Sequence, residues 1–563
     1  MKRSRLLGPL WALALPALGA CGGEPAPTAP TVAASSASGA ALVDEPAPAL
    51  RSAGRCDGPK ARACLDRYNS SGAGPRNGGV TVADLATAYL NGAHVDNDTR
   101  LDLLKALAYS LDVQAVPAYV RAFDECTAGR NFDETRMAAL GVARLLAAYG
   151  PADESLATAA WSCFASFRPS KNPKSIGLIK DLVAAVTALK HPSLGPKAVE
   201  RLAAPVTDPK DPQQGLDEIQ FWQATSVRVI GDLRYAAGVR PLVKVLLTPT
   251  KSDLIFPVRF ALTKMPKEAE PVLIAALAGS DPELVALASA YPGNSYLPRV
   301  AEPLAYISRP AGRAALLAAL EKADTDDNRA ILATDLTLFP SDASTVKAFL
   351  AAYRKVDPNA TVALMGGGNA RAIMAQAAAG FFDPSLTKWL LDETAAAKGD
   401  AADAMVPAAL PCAIKLMTTA TSKAVGSAVR AIPGNAIEKD MYASAVTVLD
   451  RCKQDKACYL LALDAPAPAT PPAARMGHVK AAWMAAIYGD AATRASLVAK
   501  LASTKDASVR LAIGQAIDHL APQGDVASAE KLEALVESDS KAGLRGASDE
   551  IVKIALRLRS RVP

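Results

Sequence analysis

Gly231-Asp-Leu-Arg-Tyr-Ala-Ala-Gly-Val239-Arg-Pro241-Leu-Val-Lys-Val-Leu-Leu247 is the stretch on which the fold turns. A glycine-flanked break is followed by Val239, Leu242, Val243 and Leu246, spaced so that all four share one helix face. Pro241 falls in the first turn of that helix, where its missing N–H has no helical partner to lose. Pro271-Val-Leu-Ile-Ala-Ala-Leu277 repeats the idea 30 residues on. Ala314-Ala-Leu-Leu-Ala-Ala-Leu320 and Ala495-Ser-Leu-Val-Ala-Lys-Leu501 keep the leucine rhythm without the proline. Ala115-Val-Pro-Ala-Tyr-Val-Arg-Ala-Phe123 and Leu194-Gly-Pro196 are weaker copies.

A second signature precedes these segments: an acidic residue, an arginine within four positions, then a helical apolar row. Asp98-Thr-Arg100 leads into Leu101, Leu104, Leu107, Ala108 and Leu111. Asp133-Glu-Thr-Arg136 leads into Ala139, Leu140 and Ala143, and Asp327-Asn-Arg329 into Ile331 and Leu332. Asp506-Ala-Ser-Val-Arg510 leads into Ala512, Ile513, Ala516, Ile517 and Leu520. Recurrence of one helix-pair pattern is the mark of a repeat architecture. These segments resemble HEAT repeats, most closely at Gly231–Leu247 and Asp506–Leu520, at irregular intervals over about a third of the chain. The resemblance implies antiparallel helix pairs stacked into an irregular alpha-solenoid, all-α, each hairpin buried by its neighbours. A tetratricopeptide array would need a strict period with fixed Trp, Gly and Tyr positions, which this chain lacks. Gly366-Gly-Gly368, Pro433-Gly434 and the Ala/Pro run 465–473 interrupt the pattern, so 340–480 is expected to be irregular.

The amino terminus has three parts in order. Lys2, Arg3 and Arg5 are positive, and Leu6 to Leu18 form an apolar run broken only by Gly8, Pro9 and Pro16. That run is short for a membrane-spanning helix, which needs roughly 20 residues, so a cleaved export signal fits better. It ends in Leu18-Gly19-Ala20-Cys21, which resembles the bacterial lipobox. The resemblance implies that residues 1–20 are a signal peptide and that the Cys21 thiol carries a diacylglycerol. Gly22 rather than Asp at the next position implies outer-membrane sorting. Residues 22–54 are Ala, Pro, Thr and Ser with few large apolar side chains, too little to offset ordering entropy. Residues 55–78 remain Gly- and Arg-rich. A lipidated, disordered tether over 21–78 and a helical array over 79–563 are the expected divisions.

Without Lys2, Arg3 and Arg5 the formal charge falls from +6 to +3, nearly neutral for over 500 residues, which argues against a nucleic-acid surface. Half the residues are apolar while aromatics are 5%, as suits thin layers of alanine and leucine helices. Of eight cysteines, Cys21 aside, seven remain. Export to an oxidising compartment permits disulfides. Cys56 and Cys64, and Cys452 and Cys458, lie near enough in sequence to close small loops, and Cys126 could meet Cys163 across one hairpin, leaving Cys412 free. Zinc at Cys452-x5-Cys458 would want a second pair or a nearby histidine, and neither is there.

A search for chemistry returns little. His94, His191, His478 and His519 are far apart and form no ligand pair. His191 precedes Pro192 in an inter-helix turn, and His519 sits near a helix end where a cation would favour the dipole. Gly366-Gly367-Gly368-Asn369 lacks the lysine and hydroxyl of a phosphate-binding loop, and no strand is expected before it. It reads as a turn before a helix beginning near Ala370. Asp324, Asp326 and Asp327 lack the glycine and closing glutamate of a calcium loop and read as a helix-capping turn. No Gly-x-Ser-x-Gly elbow occurs. Lys553, Arg557, Arg559 and Arg561 alternate with Ile551, Ile554, Leu556 and Leu558, as expected of a terminal helix capping the stack, although such cations also suit anionic lipid. The expectation is a non-enzymatic scaffold without cofactor or metal, held at the cell envelope by its lipid and binding a protein partner. A ligand or catalytic site within 340–480, or a purely structural envelope role, are the competing expectations.

Overall fold

The structure is a computed structural model that describes residues 56–71, 79–91, 96–127, 132–168, 173–206, 217–363, 367–432, 436–469, 472–541 and 547–562. The chain is all-α, with one two-residue strand pair among the described residues. It divides into two compact units, one within Pro27–Met265 and one within Pro266–Pro563.

The first unit contains α1 (Ala61–Ser71), α2 (Val82–Leu90), α3 (Asn97–Ser110), α4 (Val116–Thr127), α5 (Phe132–Tyr149), α6 (Glu154–Ser166), α7 (Pro173–Leu189), α8 (Leu194–Ala203), a π-helical stretch Glu218–Gln223, α9 (Ala224–Asp232), α10 (Val239–Leu246) and α11 (Ile255–Thr263). Odd-numbered helices pack on one another in sequence, α1 on α3 through to α9 on α11, and α2, α4, α6, α8 and α10 form the opposing layer. That is the hairpin stacking expected of helical repeats. Local chemistry starts these helices where the sequence says it should. Thr81 and Asp84 form a reciprocal capping box at α2, and the carboxylates of Asp96 and Asp153 accept from Thr99 N and Leu156 N. In the opening stretch, Val239, Leu242, Val243 and Leu246 are all buried, each contributing at most about 1.5–3 kcal/mol of apolar transfer.

In this unit two arginines of the acidic-then-arginine signature, Arg100 and Arg136, and Arg62 besides, bridge helices, whereas Arg329 of the second unit pairs within its own helix with Asp326 at 2.6 Å. Arg62 of α1 pairs with Asp102 of α3 at 2.8 Å, Arg100 of α3 with Glu134 of α5 at 3.0 Å, and Arg136 of α5 with Asp181 of α7 at 2.7 Å. Each arginine thus fastens its helix to the next helix of the same layer. Tyr89 donates to Glu134 and Arg100 also reaches Glu125, so the Arg100 node is satisfied on every side.

The folded part begins earlier than the expected boundary at 79. Residues 56–71 belong to the array rather than to a tether over 21–78: α1 packs on α3, Cys56 is fully buried and bonded to Cys64, and Leu65 is 1% exposed. Glycine and arginine content misled because one clipped loop and a few apolar residues suffice when a ready-made hairpin lies alongside. Residues 1–55, including Cys21 and the signal peptide, lie outside the described residues.

The second unit contains α12 (Pro266–Ala278), α13 (Pro282–Ala288), α14 (Leu297–Ile307), α15 (Pro310–Glu321), α16 (Asp326–Leu336), α17 (Ala343–Lys355), β1 (Thr361–Val362), β2 (Gly368–Asn369), α18 (Ala370–Ala377), α19 (Leu386–Ala396), α20 (Asp400–Leu416), α21 (Ser422–Ala431), α22 (Ala436–Cys452), α23 (Lys456–Ala462), α24 (Met476–Ile487), α25 (Ala491–Ser503), α26 (Ala507–His519), α27 (Val526–Lys541) and α28 (Ser548–Ser560). Pro271 does not open a helix as Pro241 does: α12 begins at Pro266 and Pro271 lies inside it. Helices continue through 340–480, interrupted by the antiparallel pairing of Thr361 with Asn369 and Val362 with Gly368 and by the additional helix α22. A short strand therefore does precede the glycine run, contrary to expectation, although it belongs to a hairpin. As expected, α18 starts at Ala370, capped by the Asn369 side chain accepting from Ala372 N.

In this unit α12 packs on α14, α14 on α16, α16 on α18, α18 on α20, α20 on α24, α24 on α26 and α26 on α28. The row then closes on itself, because α28 packs against α14. Ser560 Oγ donates to Ile307 O, and Arg561 donates to Ser308 Oγ at 2.8 Å and to Leu338 O at 3.1 Å. The basic helix at 548–560 is thus not the outer cap of an open stack. Its exit turn is the piece that completes a circuit.

Candidate functional site

The residues singled out from sequence do not converge on one place. Cys126 of α4 bonds to Cys163 of α6 with Cα atoms 5.5 Å apart, and Cys452 at the end of α22 bonds to Cys458 of α23 at 5.3 Å. Cys412 is the free cysteine among the described residues, and burial pushes its thiol pKa up, which is the environment of an inert core thiol. His191 contacts Ser193 Oγ at 2.8 Å and His478 contacts Ala465 O at 2.9 Å; His94 lies outside the described residues. Thr325, not the aspartates beside it, caps α16. Asp326 and Asp327 instead accept the N–H groups of Asp357 and Ala363, holding the segment on either side of β1. No group of three or more His, Cys, Asp or Glu among the described residues is placed to hold a metal ion.

The most unusual chemistry is buried where the circuit of the second unit closes. Asp518, next to last in α26, accepts from Arg557 at 2.8 Å and from Arg561 at 2.9 Å, and both guanidinium groups are almost completely buried. Burial alone would raise the Asp518 pKa, but the two arginines hold it below the usual carboxylate range. Phe382 adopts a left-handed backbone with φ 54°, a conformation that costs a non-glycine residue roughly 1 kcal/mol or more. It is held by stacking on Trp483 at 4.0 Å and on His519 at 4.5 Å. Lys480 is fully buried and donates to Ile414 O, Lys415 O and Met417 O at the carboxyl end of α20.

One physical reason explains these basic side chains, although burial pushes the Lys480 amine well below its ordinary pKa. Helices α14, α16, α20 and α26 end here, so unpaired carbonyls and the negative ends of helix dipoles gather in one layer. Lys480 and Arg561 satisfy those carbonyls from within. His519 does not serve as the dipole's cation: burial, with Arg561 adding to it and Asp518 opposing, depresses its pKa and favours the neutral ring. Asp518, Arg557 and Arg561 are spent on each other, and Lys480 on the carbonyls it reaches. This layer is where the second unit's row of helices closes on itself.

Two grooves lie in the first unit. Between α1 and α3 a groove of about 540 Å³ is lined by Arg62, Tyr68, Asp102, Lys105 and Tyr109, with Arg62, Lys105 and Asp102 already paired among themselves. Between α9 and α11 a second groove of about 320 Å³ is lined by Ala224, Arg228 and Gly231 on one side and Pro257, Phe260, Ala261 and Lys264 on the other. Its floor is tight, since a Cβ on Gly231 would fall 2.9 Å from Ala261 Cβ. Phe260 is 39% exposed, and Phe256 one turn earlier is 55% exposed. This pair is not among the residues that the helical pattern singles out. The available signal was two phenylalanines four apart that fall off the face defined by buried Val258, Ala261 and Leu262.

No protein-family model and no curated protein matches the chain. Among solved structures it is similar to an engineered protein determined by the Northeast Structural Genomics Consortium, at 15% identity over 85% of this chain and 98% of that one. The TM-score of 0.22 is too low for that likeness to carry an argument.

Proposed function

We propose that this chain is a non-catalytic scaffold of the bacterial cell envelope, tethered by a lipid on Cys21 and binding a protein partner through its helical repeats. The observation that carries the binding part is the contrast between the two kinds of polar site. Asp518, Arg557 and Arg561 are committed to one another, whereas exposed apolar and cationic side chains line a groove between α9 and α11, successive helices of one layer. Stacked helical hairpins present such surfaces to protein partners. The lipobox-like Leu18-Gly19-Ala20-Cys21 supports the tether, and the three disulfides agree with an oxidising compartment. No single described helix is long and apolar enough to cross a membrane.

Two experiments test this. The substitution Cys21→Ser is expected to move the protein from the membrane to the soluble fraction on cell fractionation; retention in the membrane would refute the anchor. Chemical crosslinking of the lipidated chain in envelope extract is expected to trap a defined partner above background, and failure to do so at native abundance would refute the scaffold.

A further inference from the structure

We infer that the α9–α11 groove is a docking site for a protein segment that presents an apolar side chain beside a carboxylate. This inference rests on the scaffold reading and names the chemistry of the partner. The groove is concave, with a floor made where Gly231 lets α9 approach Ala261 of α11. At about 320 Å³ it stands at the lower edge of the range that encloses a small-molecule ligand. An open groove of that size suits one or two anchoring side chains of a protein partner.

The apolar component comes from α11. Phe256 and Phe260 lie on successive turns and remain exposed although Val258, Ala261 and Leu262 of the same helix are buried. Large apolar side chains grouped beside a groove cost water-exposed area that folding alone gives no reason to keep. The charge component comes from both walls. Arg228 on α9 is exposed, and Lys264 beyond the end of α11 is cationic with Asp232 as its ion-pair partner. Lys264 also lies over the Phe260 ring at 4.9 Å and Arg259 over the Phe256 ring at 5.7 Å. Arginine and phenylalanine together at the centre of a groove are what interface anchors are made of, and cations on the walls complement an acid on the incoming segment. A lipid surface fits less well. It needs protruding apolar groups with cations level around them, and here the cations flank a depression.

The test is a selection with no assumed partner. Short random peptides displayed on phage are selected on the full chain carrying Cys21→Ser, then counter-selected on the same chain carrying Arg228→Glu and Phe260→Ser. The expected survivors carry Asp or Glu within one helical turn of Leu, Phe or Trp. Their affinity should fall by about tenfold or more for each single substitution, and likewise when their acids become amides. Survivors that bind both variants as well as the parent, or survivors without acids, overturn the proposal. So does a selection with no survivors. Flotation with vesicles of phosphatidylglycerol and phosphatidylcholine supplies the other arm, where loss of vesicle binding in Phe256→Ser and Phe260→Ser would assign the face to lipid and also overturn it. Circular dichroism of each variant should match the parent, because the substituted side chains are exposed. A crosslinked envelope partner that survives both substitutions would sink the groove while leaving the scaffold standing.

Discussion

Replacing Arg561 by alanine should loosen two helices that are some 250 residues apart in sequence. The guanidinium is 3% exposed and donates to the Asp518 carboxylate and carbonyl, to Ala521 O, to Ser308 Oγ and to Leu338 O. Alanine removes all of these and leaves three buried carbonyls without that donor. Breaking a buried ion pair by deleting one partner typically costs about 3–5 kcal/mol, because the remaining charge is stranded. Asp518 keeps Arg557 at 2.8 Å, so the lower end applies, about 3 kcal/mol. That is a large share of the about 5–15 kcal/mol that stabilises an ordinary domain. Denaturant unfolding followed by far-ultraviolet dichroism measures the loss. Hydrogen exchange places it, with protection expected to fall in both α14 and α28. Arg559→Ala is the control, since that side chain and its partner Glu533 are 30% and 42% exposed and such pairs are worth about 1 kcal/mol or less. The reasoning fails if the two variants lose the same stability, or if α28 frays in Arg561→Ala while α14 keeps its protection.

The depressed pKa of His519 makes stability fall with acid. The unfolded chain takes up a proton near the ordinary histidine value of about 6.5 while the folded ring resists it, so the contribution is intact above that pH and lost progressively below it. Melting temperature should drop between neutral and mildly acidic buffer, and His519→Gln should flatten that slope; an unchanged slope refutes the assignment. Gly231→Val should destabilise the first unit by about 1–3 kcal/mol in thermal melts, because its side chain meets Ala261 at the groove floor; a neutral result would mean that α9 and α11 are not in contact there. In the chain-entropy view, losing the Cys126–Cys163 bond, with its separation of 37, should cost about 4 kcal/mol, and losing Cys452–Cys458, with its separation of 6, about 2 kcal/mol. Paired Cys→Ser variants compared by denaturant midpoint check that order, which equal losses would contradict.

What could be read in advance followed the range of each interaction. Helix faces were legible, since Val239, Leu242 and Leu246 recur within a few residues. Starts were less legible: Asp96 caps α3 and Thr325 caps α16, and neither cap was read from sequence. The repeated acid–arginine signature was legible as a pattern, and its meaning needed the structure, where Arg100 finds Glu134 and Arg136 finds Asp181. Cysteine spacing pointed to pairs whose sulfurs do meet. The closing contact was not legible. Nothing local distinguishes Arg561, which pairs inward, from Arg559, which sits near the surface. Phe382 in its left-handed turn gave no warning either, because its partners Trp483 and His519 lie about a hundred residues or more away. The groove was missed for a different reason. Pattern reading looks for the buried stripe of a helix, and Phe256 and Phe260 carry information by being off it.

The meeting of α14 with α28 also sets an order of events. In an open stack each hairpin can settle on its predecessor as soon as it is made, and growth proceeds from one end. Here α14 lacks one of its neighbours until the segment some 250 residues later has arrived. If the chain is exported from its amino end, as proposed above, it carries an unsealed flank on α14, with Ile307 O and Ser308 waiting, for the whole time that α15 to α27 emerge. Bringing such distant segments together is the slow kind of step, because the entropy of the intervening loop is lost before the contact returns anything. During that interval the unit is most in need of a chaperone, and most vulnerable to proteases.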